Sequence, residues 1–243
     1  MNEAKPMCLN DDNLVVMSNN LIKGKSNLSL NELKLLRLTI MQVVAEAKDF
    51  QTYKVNITDL AELLNIDRHY IYREADTFTT HLMKELVIVG DGNPKHKWLK
   101  FPWVDMCKYD NGVLTIRLSD QLKPYLIGLS ELYTQYVLKD VLILKSVYSI
   151  RLYELIRQEM KYQKVYADKT ADVYLSIKDI RTATDTENKY ETISMFRARV
   201  IDSSIKEIKE KIGYVITYTV RKQSRQVVGF NFHIQSSHYM KID

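Results

Sequence analysis

One predicted helix, from about residue 191 to residue 211, has side chains on its outer face that could bind the edges of DNA base pairs. Successive helical residues turn by about 100°, which separates the apolar stripe from the outward positions Thr192, Met195, Arg199, Asp202 and Lys206. Arg199 could donate two hydrogen bonds to guanine O6 and N7. Thr192 could bond either class of base, and Met195 or Ala198 could contact a thymine methyl group. An ordinary solvated helix face is the alternative.

Three further residues extend this predicted contact surface. Arg197 lies closer to the apolar edge of the helix, where a guanidinium is better placed to bind a phosphate than a base. Lys189 and Ser194 flank the start of the helix and are included among the candidate DNA-binding residues.

A predicted β-hairpin with a basic tip follows the helix. Arg221, Lys222 and Arg225 place three cations and no carboxylate within five residues, between strands predicted over residues 214–220 and 227–234. Cations on such a hairpin bind phosphate or reach the minor groove, which adds affinity with little sequence information. A charged turn that only protects the sheet edge is the alternative. Helix and hairpin together indicate a double-stranded DNA partner.

The first half of the chain contains a weaker version of this surface. A helix there has an apolar stripe from Ile71 to Leu86 and the outward polar residues His69, Arg73, Thr77 and Thr80. Asp76 lies on the same side, so we expect only a secondary contribution to DNA binding. A protein contact is the alternative for this helix.

The residues of known catalytic and metal sites do not occur at the spacings that such sites need. No Walker-type phosphate loop is present, and Gly90-Asp91-Gly92 is predicted to be a turn because a third glycine is missing. No two histidines have the spacing His-x-His or His-x-x-x-His, which a DNA-nicking enzyme of the rolling-circle type would use to hold its metal. Cys8 and Cys107 fit neither a disulfide framework nor a metal site. We therefore predict a protein without enzymatic activity, cofactor or metal.

The predicted elements of the first half would position its helix as the second part of a helix-turn-helix. The order is helix, strand, helix, turn, helix and β-hairpin, and it begins at a Ser29-x-x-Glu32 capping box. Asn111-Gly112 closes the hairpin, because this pair accepts positive φ. The strands are predicted over residues 52–57, 98–106 and 113–118.

The second half repeats this order about 120 residues later. Ile57-x-Asp59-Leu60 corresponds to Ile177-x-Asp179-Ile180, and Asn65 at the turn corresponds to Asp185. Three helices followed by a β-hairpin form the winged-helix arrangement. The sequence thus predicts an α+β fold of two tandem winged-helix domains related by an internal pseudo-repeat, with a single α+β domain as the alternative.

A linker around residues 128–130 is the predicted boundary between the domains. Residues 1–128 would form an N-terminal winged helix for dimerisation and secondary DNA contacts. Residues 129–243 would form a C-terminal winged helix for the main sequence-specific DNA binding. The first helix of that domain is predicted over residues 138–158, interrupted or bent near residues 146–149.

Charge also distinguishes the two halves of this chain of 243 residues, which has a net charge of +5. Residues 1–128 contain 16 Lys/Arg and 16 Asp/Glu, whereas residues 129–243 contain 19 and 14. This excess favours a polyanionic partner for the second half. The longest apolar runs have about four residues and no signal-peptide pattern is present, so we expect a cytoplasmic protein without a membrane span.

Several segments spread over nearly the whole chain are specific in combination, and they comprise Asn19-Asn20-Leu21-Ile22, Leu28-Ser29-Leu30-Asn31-Glu32, Leu144-Lys145-Ser146-Val147-Tyr148-Ser149-Ile150-Arg151-Leu152-Tyr153-Glu154-Leu155, Ile180-Arg181, Lys189-Tyr190, Phe196-Arg197, Glu207-Ile208, residues 222–225 and Phe230-x-Phe232. In these segments the chain resembles the iteron-type plasmid replication initiators, the Rep proteins with paired winged helices. In the longest segment, Tyr148, Leu152 and Leu155 indicate packing between the domains. The family often has more arginines early in the recognition helix, so no base preference is carried over.

The resemblance implies binding to repeated sites at a plasmid origin and strand opening with host replication proteins such as a helicase or initiator. It also implies autorepression by a dimer. Our hypothesis is a DNA-binding initiator of plasmid replication. A dedicated transcriptional repressor with the same DNA-binding surfaces is the first alternative. A nicking initiator enzyme is the second, and the missing histidine pair argues against it.

Overall fold

The chain forms two compact units in the computed structural model, which describes residues 5–6, 12–90, 98–160 and 170–236. Unit 1 consists of Met1–Leu21 and Ser26–Leu142, and unit 2 consists of Ile22–Lys25 and Ile143–Asp243. Cys8, Asp91 and Gly92, for which the sequence led to predictions, lie outside the described residues.

Unit 1 is a winged helix with added strands and helices. Its helical elements are α1 (Asn19–Lys23, continuing into unit 2), α2 (Leu30–Met41), α3 (Ile57–Leu64), α4 (Arg68–Lys84), a 3-10 turn (Asp120–Leu122), α5 (Lys123–Leu126) and α6 (Leu138–Leu142). Its strands are β1 (Lys5–Pro6), β2 (Leu14–Ser18), β3 (Thr52–Asn56), β4 (Leu86–Gly90), β5 (Trp98–Pro102), β6 (Val104–Asp110), β7 (Val113–Leu118) and β8 (Tyr133–Val137). The main sheet has the order β1-β3-β7-β6, and β2-β8 and β4-β5 form two-stranded sheets.

Two local signals of unit 1 are confirmed. The Ser29 hydroxyl accepts the Glu32 backbone N–H at 3.4 Å, and the Glu32 carboxylate accepts the Ser29 N–H at 2.7 Å, which is the predicted capping box. Asn111 and Gly112 both have positive φ, 47° and 80°, and they join β6 to β7. Such a pair matches the twist of an antiparallel hairpin.

The strand predicted over residues 98–106 is two strands. β5 ends at Pro102 and pairs with β4, whereas β6 begins at Val104 and pairs with β7. Pro102 has no N–H to donate to a continuing ladder, and Trp103 between the strands is only 2% exposed. The predicted apolar stripe from Ile71 to Leu86 is too long for one helix. Helix α4 ends at Lys84, and Leu86 is the first residue of β4.

The division between the units lies after Leu142, later than the predicted linker around residues 128–130. β8 pairs along its whole length with β2. In the following helix, Leu138 and Val141 are fully buried, and the Leu142 carbonyl accepts a hydrogen bond of 2.6 Å from Lys34 Nζ of α2. These contacts keep β8 and α6 in unit 1.

Unit 2 is a second winged helix. It contains α7 (Val147–Met160), β9 (Thr170–Ser176), α8 (Ile177–Ala183), α9 (Ile193–Phe196), a π-helical turn (Arg197–Asp202), α10 (Ser203–Ile212), β10 (Tyr214–Gln223) and β11 (Gln226–Ser236). The three strands form an antiparallel sheet in the order β10-β11-β9. The predicted helix is interrupted, but at residues 143–146 and not at residues 146–149, because α6 ends at Leu142 and α7 begins at Val147. Among the described residues, no helix is long and apolar enough to span a membrane.

Helix α7 packs in the core of unit 2, and the predicted packing between domains stays a prediction. Leu152 and Leu155 are fully buried, and α7 contacts α8, α10 and β9 of the same unit. Tyr148 is half-buried, with its hydroxyl oxygen 3.3 Å from that of Tyr190.

A buried ion pair of α7 fixes two other segments of unit 2. Arg151 is 3% exposed and Glu154 is fully buried. Arg151 Nη1 donates to Glu154 Oε2 at 2.6 Å, and Nε donates to the Ala183 carbonyl at 2.9 Å. Nη2 donates to the carbonyls of Ile22 at 2.5 Å and Gly24 at 2.8 Å. A buried charge needs such partners, so these bonds determine where the end of α8 and the segment Ile22–Lys25 lie.

We expect Arg151→Met to lower the free energy of unfolding by about 3–5 kcal/mol, because it leaves the Glu154 carboxylate buried without its cation. The double variant Arg151→Met/Glu154→Leu should recover part of this loss. Urea denaturation followed by circular dichroism measures both. The control is Arg199→Met on an exposed helix face, and a loss for Arg151→Met as small as that of the control would contradict the expectation.

Candidate nucleic-acid interface

Arg181 of α8 holds the turn that precedes the recognition helix, which we define as residues 193–212. Its guanidinium donates to the carbonyls of Thr186 at 2.6 Å, Lys189 at 2.8 Å and Tyr190 at 2.9 Å. It also lies 4.2 Å from the centre of the Phe196 ring. The path of the turn is therefore fixed by polar contacts, and the periodicity of the sequence could not indicate them.

The recognition helix begins at Ile193, two residues later than predicted, and Thr192 is its N-cap. The Thr192 hydroxyl accepts the Met195 backbone N–H at 3.3 Å and lies 3.1 Å from the Ser194 hydroxyl. Ser, Thr, Asp and Asn are favoured at this position because they satisfy a free N–H of the first turn. The predicted role of Thr192 in base contacts must therefore be shared with capping.

The outer face of the recognition helix agrees with the predicted one. Phe196, Val200, Ile201 and Ile208 are buried. The exposed residues on the opposite side include Ser194, Met195, Ala198, Arg199, Asp202 and Lys206. Residues Arg197–Asp202 form a π-helical turn. Such turns are rare in proteins as a whole, but where they occur they are often at functional sites.

Arg197 contacts the sheet of unit 2. Its Nε donates to the Tyr218 hydroxyl at 2.8 Å, and its guanidinium lies 5.4 Å from the centre of the Tyr218 ring. The Tyr218 hydroxyl in turn donates to Asp202 Oδ1 at 2.7 Å. Burial and this bond to Asp202 raise the pKa of Tyr218, so the hydroxyl is protonated at neutral pH. The chain of contacts places Arg197 at the apolar edge of the helix, as predicted.

The basic hairpin is longer than predicted. β10 extends to Gln223 and β11 begins at Gln226, so Arg221 and Lys222 are strand residues and the turn consists of Ser224 and Arg225. Ser224 has a positive φ of 56°. The strand register shifts between Arg221 and Lys222, and such a bulge redirects side chains.

Tyr174 of β9 is a platform for Arg221. The Arg221 guanidinium lies 4.8 Å from the centre of the Tyr174 ring, and the Tyr174 hydroxyl donates to the Val228 carbonyl at 3.3 Å. Gly229 makes room for this ring. A Cβ at position 229 would be 2.6 Å from Tyr174 Cε2 and 2.5 Å from the carbonyl oxygen of Leu175, so only glycine fits.

The net charge of the chain is concentrated in unit 2. With the boundaries found in the structure, unit 2 contains 20 Lys/Arg and 12 Asp/Glu, a net charge of +8. Unit 1 contains 15 and 18, a net charge of −3. The asymmetry is larger than the one obtained by dividing the sequence at residue 128, and it favours unit 2 as the partner of a polyanion.

In unit 1 the predicted contact residues are also on one exposed surface. The outward residues of α4 include His69, Arg73, Thr77 and Thr80. Arg73 Nε lies 2.9 Å from Glu74 Oε1, and its guanidinium lies 5.6 Å from the centre of the Tyr70 ring. Arg73 is thus paired with a carboxylate, whereas no such partner is seen for Arg199 among the described residues.

Helix α4 packs loosely against the rest of unit 1. Of its 17 residues only Ala75 and Leu82 are buried. A cavity of about 280 Å³ lies beneath it, and its lining includes the apolar residues Ile57, Leu60, Leu64, Ile71, Phe78 and Leu114. The described part of the chain contains no cluster of three or more His, Cys, Asp or Glu residues that could hold a metal ion.

Comparison with known protein families bears on both units. Residues 14–157 match the family model described as "Initiator Replication protein, WH1", and residues 176–234 match the model described as "Initiator Rep protein, WH2". The chain belongs to the initiator replication protein family. The predicted resemblance and the fold of two winged helices are confirmed. Initiation of replication is the function that both family models name.

Two proteins of Escherichia coli are among the relatives. A replication initiation protein is 23% identical over 200 residues, which cover 80% of this chain and 61% of the relative. The PI protein is 25% identical over 210 residues, which cover 75% of this chain and 68% of the relative. The match therefore spans less than two thirds of the length of the replication initiation protein.

A solved structure supports the fold. The crystal structure of the Pi initiator protein in complex with iteron DNA matches with a TM-score of 0.74 at 20% sequence identity. The match covers 95% of this chain and 100% of that chain.

Proposed function

We propose that this protein initiates plasmid replication by binding repeated double-stranded sites at an origin, with unit 2 supplying most of the sequence recognition. The observation that carries the proposal is the coincidence, in the unit with a net charge of +8, of an exposed recognition-helix face and a basic hairpin. The family and the likeness to an initiator solved with iteron DNA support it.

In the proposed complex the residues divide by the kind of contact they make. Arg199, Met195, Ala198 and Ser194 face the major groove, and Arg199 supplies the strongest base contact. Arg197, Lys189, Lys206 and the three hairpin cations bind phosphates, which fixes the orientation of the duplex. The outer face of α4 adds secondary contacts through His69, Arg73, Thr77 and Thr80.

The proposal includes no catalytic step and no cofactor. Strand opening would proceed with host replication proteins such as a helicase or initiator, in the cytoplasm where the plasmid is replicated. A dimer that binds the promoter region would repress synthesis of the protein itself.

Exposed apolar residues of unit 1 support a pairing surface for such a dimer. Leu86, Trp98 and Leu99 of the two-stranded sheet β4-β5 are 42%, 51% and 46% exposed. Exposed apolar strands with an open edge are prone to pair with another chain. We therefore place dimerisation in unit 1, at the two-stranded sheet β4-β5.

The proposed base contact is tested with Arg199→Ala. We expect the discrimination between an origin repeat and a random duplex to fall by about 1–3 kcal/mol, which corresponds to the loss of one bidentate base contact. Binding of both duplexes is measured at one salt concentration. Lys206→Ala, which removes the same charge from the same helix, is the control and should weaken both complexes equally. Equal weakening by Arg199→Ala as well would mean that Arg199 contacts only phosphate.

The proposed phosphate contacts of the hairpin are tested by replacing Arg221, Lys222 and Arg225 with Gln. All duplex binding should weaken, and the slope of log affinity against log salt should fall by up to about 0.9 per lost phosphate contact. The control replaces three exposed lysines of unit 1, Lys48, Lys54 and Lys108, with Gln. If both triple variants have the same slope, the hairpin is not at the DNA.

The two proposed assembly states are tested with Trp98→Ser/Leu99→Ser. One chain should bind a direct repeat with both winged helices, and two chains should bind an inverted repeat while paired through unit 1. The variant should therefore lose binding to the inverted repeat and keep binding to the direct repeat. Light scattering gives the mass of each complex. The control is Val44→Ser, which removes an exposed apolar side chain elsewhere in unit 1. If the wild-type protein binds the direct repeat and the inverted repeat with the same number of chains, the model of two assembly states is refuted.

A further inference from the structure

The segment Ile22–Lys25 belongs to unit 2, although the residues on either side of it, Leu21 and Ser26, belong to unit 1. Its backbone is held by the buried guanidinium of Arg151 through the carbonyls of Ile22 and Gly24. The segment is therefore part of the DNA-binding unit despite lying more than a hundred residues before the rest of that unit in the sequence.

Lys25 extends from this segment to the turn before the recognition helix. Its Nζ lies 3.0 Å from Asp185 Oδ1 and 2.5 Å from Glu187 Oε2. The three side chains are 32%, 24% and 36% exposed, so solvent only partly screens the ion pairs.

Both carboxylates are themselves bonded to the turn and the helix before it. Asp185 has a left-handed backbone, with φ of 50°, and its Oδ2 lies 3.1 Å from Lys189 Nζ. Glu187 Oε1 accepts a hydrogen bond of 3.1 Å from the Thr182 hydroxyl of α8. Lys25 therefore joins the two halves of this network.

Electrostatics favour the charged forms of Lys25 and Asp185. Burial alone would raise the pKa of Asp185, but the bonds from Lys25 and Lys189 outweigh it and hold the pKa below its usual value. Burial likewise opposes the charge on Lys25, and the two carboxylates outweigh it and raise the pKa of that ammonium group. Lys25 and Asp185 are therefore both charged at neutral pH.

We propose that Lys25 is a positioning residue, which holds the turn between α8 and the recognition helix so that the recognition face meets the bases in register. The proposal deepens the proposed function, since it assigns a residue outside the winged helix of residues 143–243 to sequence recognition. Lys25 acts through Asp185 and Glu187, and it is not itself a DNA contact.

The test compares Lys25→Ala with Lys23→Ala in the full chain. Lys23 is a matched control because it lies in the same segment, and its Nζ lies 3.5 Å from Glu159 Oε1, a longer contact than either of those made by Lys25. We expect Lys25→Ala to reduce the preference for an origin repeat over a random duplex about fivefold or more, the lower end of the loss of one base contact. Lys23→Ala should change this preference by less than about twofold, and Lys25→Arg should retain most of it.

Three outcomes of the DNA-binding measurements would overturn the proposal. If Lys25→Ala and Lys23→Ala weaken both duplexes equally, Lys25 contributes only to the general charge. If Lys25→Ala lowers the slope of log affinity against log salt by about 0.9, Lys25 is a phosphate contact. If Lys25→Arg loses as much preference for the origin repeat as Lys25→Ala does, the ion pairs of Lys25 do not position the turn.

A second measurement does not depend on DNA. Amide hydrogen exchange of the free protein should become faster across residues 184–190 in Lys25→Ala and remain unchanged in Lys23→Ala, because only the former releases the turn. Unchanged exchange in Lys25→Ala would refute the positioning role even if the protein binds origin repeats. Conversely, a wild-type protein without preference for origin repeats would refute the proposed function. Faster exchange in Lys25→Ala would still support the role of Lys25 in holding the turn.

Discussion

The burial of one guanidinium, that of Arg151, constrains the position of several segments of unit 2. Transfer of an arginine from water to a protein interior is unfavourable unless its donors are satisfied. Acceptors from α7, the end of α8 and the segment Ile22–Lys25 come together around Arg151 and meet this condition. Because α8 leads directly into the turn before the recognition helix, the orientation of that helix depends on the same buried charge.

Polar contacts also determine the rest of the helix-turn-helix in unit 2. Arg181 fixes three carbonyls of the turn, and Lys25 joins two of its carboxylates. Apolar packing alone tolerates small rotations of a helix, whereas directional hydrogen bonds select one geometry. A protein that must place side chains against base edges gains specificity from such a rigid mounting.

The parts of the fold that depend on short sequence motifs could be predicted from the sequence. The Ser29 capping box and the Asn111-Gly112 turn act over three or four residues, and both are present. The boundary after Leu142 depends on the pairing of β2 with β8, which lie more than a hundred residues apart in the sequence. No period within the sequence encodes such pairing, and the same is true of the acceptors around Arg151.

The candidate interface likewise has a part that the sequence predicts and a part that it does not. The helical period sufficed to place Arg199 on the outer face, whereas the tyrosines that hold two other arginines come from the sheet and could not be anticipated. Tyr218 holds Arg197 and Tyr174 holds Arg221, and a guanidinium that is already ordered loses less entropy on binding. In the proposed complex these two fixed cations suit phosphates, whose positions vary little with sequence. The duplex would then be held in one register, so that the discrimination between sequences falls to the exposed Arg199 and its neighbours on the recognition helix.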